Sequence, residues 1–580
     1  MNLSLIMKIT FTRLIIIVLI SKLFVSCGED WLEVKPKGTL DQYVLADEKG
    51  IDAILIGAYS MLDGVSINFT WESASSNWVY GSIRGLEANK GTDSGDSWSG
   101  NPIMTYSEIP TNPFLDGKWR EVYAAIARCN SAILVTKQAS ADGTIDQEHA
   151  DLFFRQARAL RGWYHFEAWR MWGMIPYVDE HTDAYNVSNS EDIREKIIGD
   201  LEAGTLLPEN MGQIGRFNST VSKVLLAKAL MQMNQDYAGA LNLLEYVKSH
   251  GLKPNGEPVG LATTYGEIFD IEQRNGIESI YTVQYSVNDG SGGVNGGYGE
   301  VLNFPYKSGG SPAGCCGFYQ PAQEFVNSFR TSGGLPLLDN GYNNDPLKND
   351  QGLKPSDPFT EDTGPIDPRL DWSVGRRGIP YWDWGIHTGS DWIRDQTYAG
   401  PFSPKKQVYK KSQEGIYTEV GNWTSGYTAN GYRMIRYADV LLLLAECQIE
   451  TANLNGALEN INLVRARASN PDGFVKEADG ITPAANYQIT TYPSFPDADY
   501  ARKALRMERK LELGMEGHRW FDLNRWGITV EELNRALEYE KTTPWGRNIY
   551  TSAVVGPEDV TYPIPQRQID LSNGKLVQNR

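Results

Sequence analysis

The chain has 580 residues, with 54 Lys and Arg against 72 Asp and Glu and a formal net charge of −18. A surface this acidic repels phosphate and no Lys/Arg block offsets it, which excludes nucleic acid as a partner. Its six histidines and five cysteines show no metal-ligand spacing of the CxxC or HExxH kind, so no cofactor is expected.

Residues 1–26 read as an export signal. Lys8 and Arg13 supply positive charge, and Leu14 to Ile20 is an unbroken apolar run. Lys22 then interrupts a stretch shorter than the roughly 20 apolar residues that span a bilayer. The segment closes on Leu23-Phe24-Val25-Ser26-Cys27, the pattern of a lipoprotein signal, with Phe24 where leucine is usual. Cys27 is then the acylated first residue, an anchor and not a catalyst. The competing reading is an ordinary signal peptide followed by an unrelated cysteine.

Helices are expected near Ala46–Leu62 and Trp119–Val135, separated by a Gly/Ser/Asp-rich loop from Glu72 to Gly100 that carries Trp78 and Trp98. In Asp151–Gly173, Phe154, Ala157, Leu160, Tyr164 and Ala168 fall near one face, and Gly173 and Pro176 end the helix. Arg158, Arg161 and Glu167 on it read as buried helix–helix ion pairs. Lys223–Lys248 and Ala438–Arg465 share one plan: a Leu/Ala-rich helix, a polar turn, and an Ala-Leu start to a second helix. That is the small–large packing of tetratricopeptide-type hairpins. The two copies lie far apart, so the solenoid is interrupted.

The interruption, roughly Gly251 to Tyr432, is rich in Gly, Pro and aromatics and poor in helical period. So many aromatics argue for folded loops, and loops this long are usually functional. Within it, Trp372 reads as a core residue of a strand-like run. A disulfide between the neighbours Cys315 and Cys316 would be strained, while Cys129 and Cys447 sit in apolar helical runs as small buried hydrophobes. Asp345, Asn349 and Asp350 make structural calcium conceivable, but their spacing is not an EF-hand and favours a solvated turn.

From Arg506 to Gly527 the chain reads RMERKLELGMEGHRWFDLNRWG. Leu505, Leu511 and Met515 recur near helical spacing, leaving Glu508, Arg509, Lys510 and Glu512 as a charged face. The helix runs into a corner presenting Glu516, Arg519, Trp520 and Asp522. A proline-stiffened tail, TYPIPQRQIDL, follows at Thr561–Leu571.

The 506–527 run is very similar to the C-terminal signature helix of SusD/RagB-like nutrient-binding lipoproteins of Bacteroidetes outer membranes. The 151–173 helix with its Gly-x-x-Pro and Tyr177-Val178-Asp179-Glu180 tail, and the YPIPQ-x-x-I-D run, resemble the same family. So do Glu29 and Asp30 behind Cys27, which resemble its surface-export signal. The resemblance implies a mainly α fold: a tetratricopeptide-like hairpin scaffold with a large loop-rich insertion containing short strands. It further implies one unit over 27–580, divided into 27–250, an insertion at 251–432 that forms the ligand face, and 433–580. The protein would be a cell-surface outer-membrane lipoprotein that binds oligosaccharide without cleaving it and delivers it to a SusC-like TonB-dependent transporter.

A sugar ring has an apolar face and polar edges, so a rigid Trp or Tyr beside Asn, Asp or Arg suits it. On this ground, and on where the family binds ligand, the candidates are Trp78, Trp98, Asn89 and Asp93 in the first loop and Tyr298, Tyr319 and Trp384 in the insertion. Alternatives are a peptide-binding RagB-like protein, a pure interaction scaffold, and a glycoside hydrolase using a carboxylate pair such as Asp383 and Asp391.

Overall fold

Long helices stack on one another in chain order, and polar caps fix where each begins. The computed structural model describes residues 45–65, 70–183, 186–306, 310–421 and 424–580; Cys27 and the export signal lie outside the described residues. The helices are α1 (Glu48–Tyr59), α2 (Pro113–Ala141), α3 (Gln147–Trp172), α4 (Arg194–Thr205), α5 (Ser219–Ala229) and α6 (Tyr237–His250). After the insertion come α7 (Tyr437–Glu450), α8 (Leu454–Ala468), α9 (Ala498–Leu513), α10 (Arg519–Arg525) and α11 (Thr529–Glu540). Asn112, Asp146, Asn218 and Asp497 cap α2, α3, α5 and α9 by accepting from a backbone N–H of the first turn. The internal repeat is exact at its caps: Asp236 accepts from Gly239 N–H before Ala240, and Asn453 accepts from Gly456 N–H before Ala457.

The solenoid is interrupted in sequence but not in space. Helix α6 packs directly on α7, which follows it only after the whole insertion. Tyr437 Oη donates to the Lys248 carbonyl at 3.2 Å, and Lys228 pairs with Asp439 at 2.7 Å across the junction. Inside the insertion, β2 (Ser279–Val283) pairs antiparallel with β4 (Tyr432–Arg436), Tyr432 opposite Val283. Strand β1 (Ala88–Gly91), from the first loop, pairs antiparallel with β3 (Phe318–Pro321), Asn89 opposite Gln320. The remaining paired strands are two residues long, so the fold is mainly α with short strands, as expected.

One expectation is corrected. Glu508, Arg509, Lys510 and Glu512 do not form a solvated face; all four are buried, and the second half of α9, from Met507 on, is enclosed. Each charge finds a complement there. Arg369 donates to Glu508 at 2.6 Å and to Glu512 at 3.1 Å, Arg465 to Glu508 at 2.8 Å, and Arg467 to Glu512. Arg436 reaches Glu278, Glu512 and Glu516, and Lys406 reaches Glu516 at 2.7 Å. On the other side Arg509 joins Asp439 and Asp522, each at 2.8 Å. Charges this deep persist only because every one is paired and hydrogen-bonded. Arg158 and Arg161 likewise converge on buried Asp200 of α4, at 2.8 and 2.7 Å.

Trp372 differs too: it lies in a short helix, Leu370–Ser373, where its Nε1 donates to the Gly473 carbonyl at 2.7 Å. Cys315 and Cys316 are joined as a disulfide, and Cys129 and Cys447 are buried thiols. Asp345, Asn349 and Asp350 turn to separate partners, Arg330, Gln323 and Gln396. Among the described residues no group of His, Cys, Asp or Glu is placed to hold a metal ion, and no helix is long and apolar enough to cross a membrane.

Candidate functional site

The first loop leaves β1 through a close approach to the insertion. A Cβ at Gly91, whose φ is +82°, would collide with the carbonyl oxygen of Gly317, so glycine is required there. Thr92 N–H then donates to that carbonyl at 2.5 Å. Beyond it the loop is pinned from inside and outside. Lys90 points inward, and its Nζ donates to the carbonyls of Asp93, at 2.8 Å, and Asp96. Burial pulls the Lys90 ammonium down to about 8. From the insertion Arg394 reaches over to Asp93 at 2.8 Å, Asp96 at 2.5 Å and Thr92 Oγ1 at 2.7 Å, with its guanidinium 5.4 Å from the Tyr306 ring centroid. The N–H groups of Asp96 and Gly95 donate to Asp93 and hold its carboxyl below the ordinary range, with Arg394 adding to the effect. Asn101 Nδ2 donates to the Ser94 carbonyl at 2.9 Å, and Tyr398 Oη donates to Asn101 Oδ1 at 2.9 Å.

Trp98 stands on this pinned loop with 66% of its surface exposed. Its indole makes no hydrogen bond or ring contact among the described residues. An aromatic plate on a loop held by Lys90 and Arg394 can stack on an apolar ligand face at little entropic cost.

The other candidates are placed differently. Asn89 is buried, donating to the Ala399 carbonyl at 2.9 Å and accepting from Gly91 N–H, so it positions the loop and offers no free group. Trp78 is 3% exposed; its Nε1 donates to the Gly299 carbonyl at 2.9 Å and its ring lies 5.7 Å from that of Tyr319, itself 2% exposed. Tyr298, adjacent to Gly299, is half-buried and 6.1 Å from Tyr427. Trp78 and Tyr319 thus meet in the interior, where the first loop packs on the insertion, and Tyr298 packs apart from them on Tyr427. Trp384 belongs to a separate apolar cluster with Phe304, Trp392 and Tyr409, and its Nε1 donates to the Tyr409 carbonyl at 2.8 Å. Only Trp98 and Asp93 share the exposed loop.

Asp96, Arg394, Tyr306 and Tyr398 escaped the sequence reading. Arg394 is nearly 300 positions from its carboxylates, |i−j| = 298 for Asp96, and no local pattern announces such a pair. Asp383, one of the carboxylates considered for hydrolysis, accepts from the N–H groups of Lys411 and Ser412 and so closes a turn.

Fold and loop together define a helical-hairpin scaffold that carries an insertion and an aromatic loop site. The chain belongs to the SusD family, whose model matches residues 277–580, from β2 through the buried ion network to the end. A SusD-like protein of Formosa agariphila is 22% identical over 570 residues, covering 94% of each chain. A SusD-like protein of Bacteroides ovatus is 21% identical over 287 residues; the match spans 47% of this chain and only half, 50%, of that relative. Among solved structures, a SusD superfamily protein from Bacteroides vulgatus superposes with a TM-score of 0.66 at 18% identity, covering 92% of this chain and 99% of the other. Surface glycan-binding protein A from Bacteroides thetaiotaomicron, in complex with laminarihexaose, does so with 0.63 at 22% identity and the same coverage, 92% and 99%. At these identities the structures establish a shared fold.

Proposed function

We propose that this protein is a cell-surface lipoprotein, anchored through Cys27, that binds oligosaccharides without cleaving them and delivers them to a SusC-like TonB-dependent transporter. Membership of the SusD family supports the reading, as does the laminarihexaose carried by a relative of the same fold. The observation that carries it is Trp98, a large apolar ring left in solvent on a loop held by Lys90 and Arg394. An exposed indole costs free energy unless something covers it, and a pyranose face is of matching size and polarity. The insertion, 251–432, contributes Arg394 and Tyr306 to the rim, so the ligand face lies where 27–250 and the insertion meet. Absence of bond cleavage is part of the proposal, and Asp383 supports it by serving a turn.

Calorimetry of the soluble form beginning after Cys27, against a glycan panel and a peptide pool with products read by mass spectrometry, tests this. Intact glycan bound with an affinity that Trp98→Ala reduces is the expected result. Cleaved glycan, or binding of peptide alone, overturns it.

A further inference from the structure

A second site, far more cationic than the Trp98 loop, lies on the signature helix. Lys503, Arg506 and Lys510 fall on one face of α9 at helical spacing, and Arg519 and Arg535 face them from α10 and α11. The turn 338–342 closes the third side of a cavity of about 310 Å³. In a chain of net charge −18 a cleft lined by five cations is unexpected, and three carboxylates, Asp339, Glu531 and Glu532, line it with them.

Most of that charge is spent internally. Lys503 pairs with Asp339 at 2.7 Å and Arg519 with Glu532 at 2.9 Å. Arg535 pairs with Glu532 at 2.8 Å and with Glu324 at 2.9 Å, and Lys510 with Glu324 at 2.7 Å. Arg506 differs. It is half-buried, makes no ion pair among the described residues, and is steadied by the Trp526 ring, 5.4 Å from its guanidinium carbon. Burial lowers its hold on the proton; Glu446 and Glu450 oppose this, while Arg502 and Arg519 add to it. A partly desolvated guanidinium without an ion-pair partner gains from a hydrogen-bonded oxyanion. Asn340 stands at the same rim, in a left-handed conformation with φ of +63°, its side-chain amide 2.9 Å from Tyr342 Oη, whose single proton goes to Glu324 Oε1 at 2.5 Å.

We infer that this cleft binds an oxyanion group (a carboxylate, sulfate or phosphate), with Arg506 as its principal ligand and Lys503 and Arg519 beside it. The site is independent of the Trp98 loop, so it can stand or fall without the proposed function. Titration calorimetry of the soluble form with sodium sulfate, glucose 6-phosphate, glucuronate and neutral glucose tests it. Expected is saturable binding of at least one anion and none of glucose. Arg506→Gln should weaken that binding about tenfold or more. Arg194→Gln, on α4 and paired with Asp192, should leave it intact, as should Trp98→Ala. Which anion binds separates a free inorganic ion from an ester or a uronate. No saturable binding by any of them, equal binding by wild type and Arg506→Gln, or equal loss in both arginine variants overturns the inference; unchanged thermal melts show that the variants fold.

Discussion

Arg436 grips Glu516 with two parallel hydrogen bonds, Nε to Oε2 at 2.8 Å and Nη2 to Oε1 at 2.9 Å, and neither side chain is more than 4% exposed. The pair joins β4, the strand that ends the insertion, to the corner where the signature helix stops. Arg436 also reaches Glu278 and Glu512, so its removal leaves three buried carboxylates to Lys406, Arg467 and Arg369 alone. Arg436→Met should therefore cost about 3–5 kcal/mol, read as a lower urea midpoint. A loss below about 1 kcal/mol would show that the remaining cations suffice for the three carboxylates.

Trp98 and Trp78, both in the first loop, should behave oppositely. Trp98→Ala should change stability by no more than about 0.5 kcal/mol, as expected of an exposed site, while lowering glycan affinity. Trp78→Ala removes a buried ring that contacts Tyr319 and should cost about 3–5 kcal/mol. Denaturant melts and calorimetry on the same preparations separate the two effects.

Glu540 makes stability fall with rising pH. Burial, reinforced by the Glu324 carboxylate, pushes its carboxyl up to about 8 from an ordinary 4.5. Between those values the unfolded chain has released this proton and the folded protein still holds it, so the folded state loses ground as pH climbs. Glu540→Gln removes the effect. Its advantage over wild type should be absent near about pH 4 and grow by on the order of 1 kcal/mol per pH unit towards about pH 8. A constant difference across that range in urea titrations would refute the assignment.

Histidine acts in the other direction. His165 is buried, with Nε2 accepting from Val178 N–H at 3.0 Å and Nδ1 3.0 Å from the Arg161 carbonyl, which fixes a neutral ring; burial pulls it down to about 4. His518 is also buried and lies at about 4. The unfolded chain takes up these protons below about 6.5 and the folded protein does not, so their contribution to stability is lost as pH falls from there towards 4. NMR at about pH 5.5 should find both rings neutral. His149, raised by its hydrogen bond to Asp146, should be protonated under the same conditions.

Local signals carried the helices. The face of Phe154, Ala157, Leu160 and Tyr164 located α3 to within a few residues, and Ala240-Leu241 and Ala457-Leu458 marked the repeated hairpin. α2 begins earlier than its apolar run because Asn112 and Pro113 form a start signal ahead of it. What stayed hidden depends on distant partners. Periodicity leaves Glu508 and Glu512 on a polar face, and Arg369, Arg436, Arg465 and Arg467, recruited from elsewhere in the chain, allow that face to be buried. In the loop, composition made Trp78 and Trp98 equivalent, and it is the Gly299 carbonyl, more than 200 positions away (|i−j| = 221), that draws one inside.

Because α6 rests on α7, the chain departs from the helical stack and rejoins it at nearly the same spot, and β2 with β4 ties the neck of the excursion. Everything between is a closed loop in the polymer sense. Lengthening such a loop is cheap, each doubling adding only about 0.6 kcal/mol of closure entropy. Exposed loops of the excursion can therefore change length at little cost, but the excursion cannot be exchanged whole: Arg369, Lys406 and Glu324, which neutralise Glu508, Glu512, Glu516 and Lys510 of the signature helix and its corner, lie inside it. The helical stack and its insertion are one electrostatic unit, and each must be redesigned with the other.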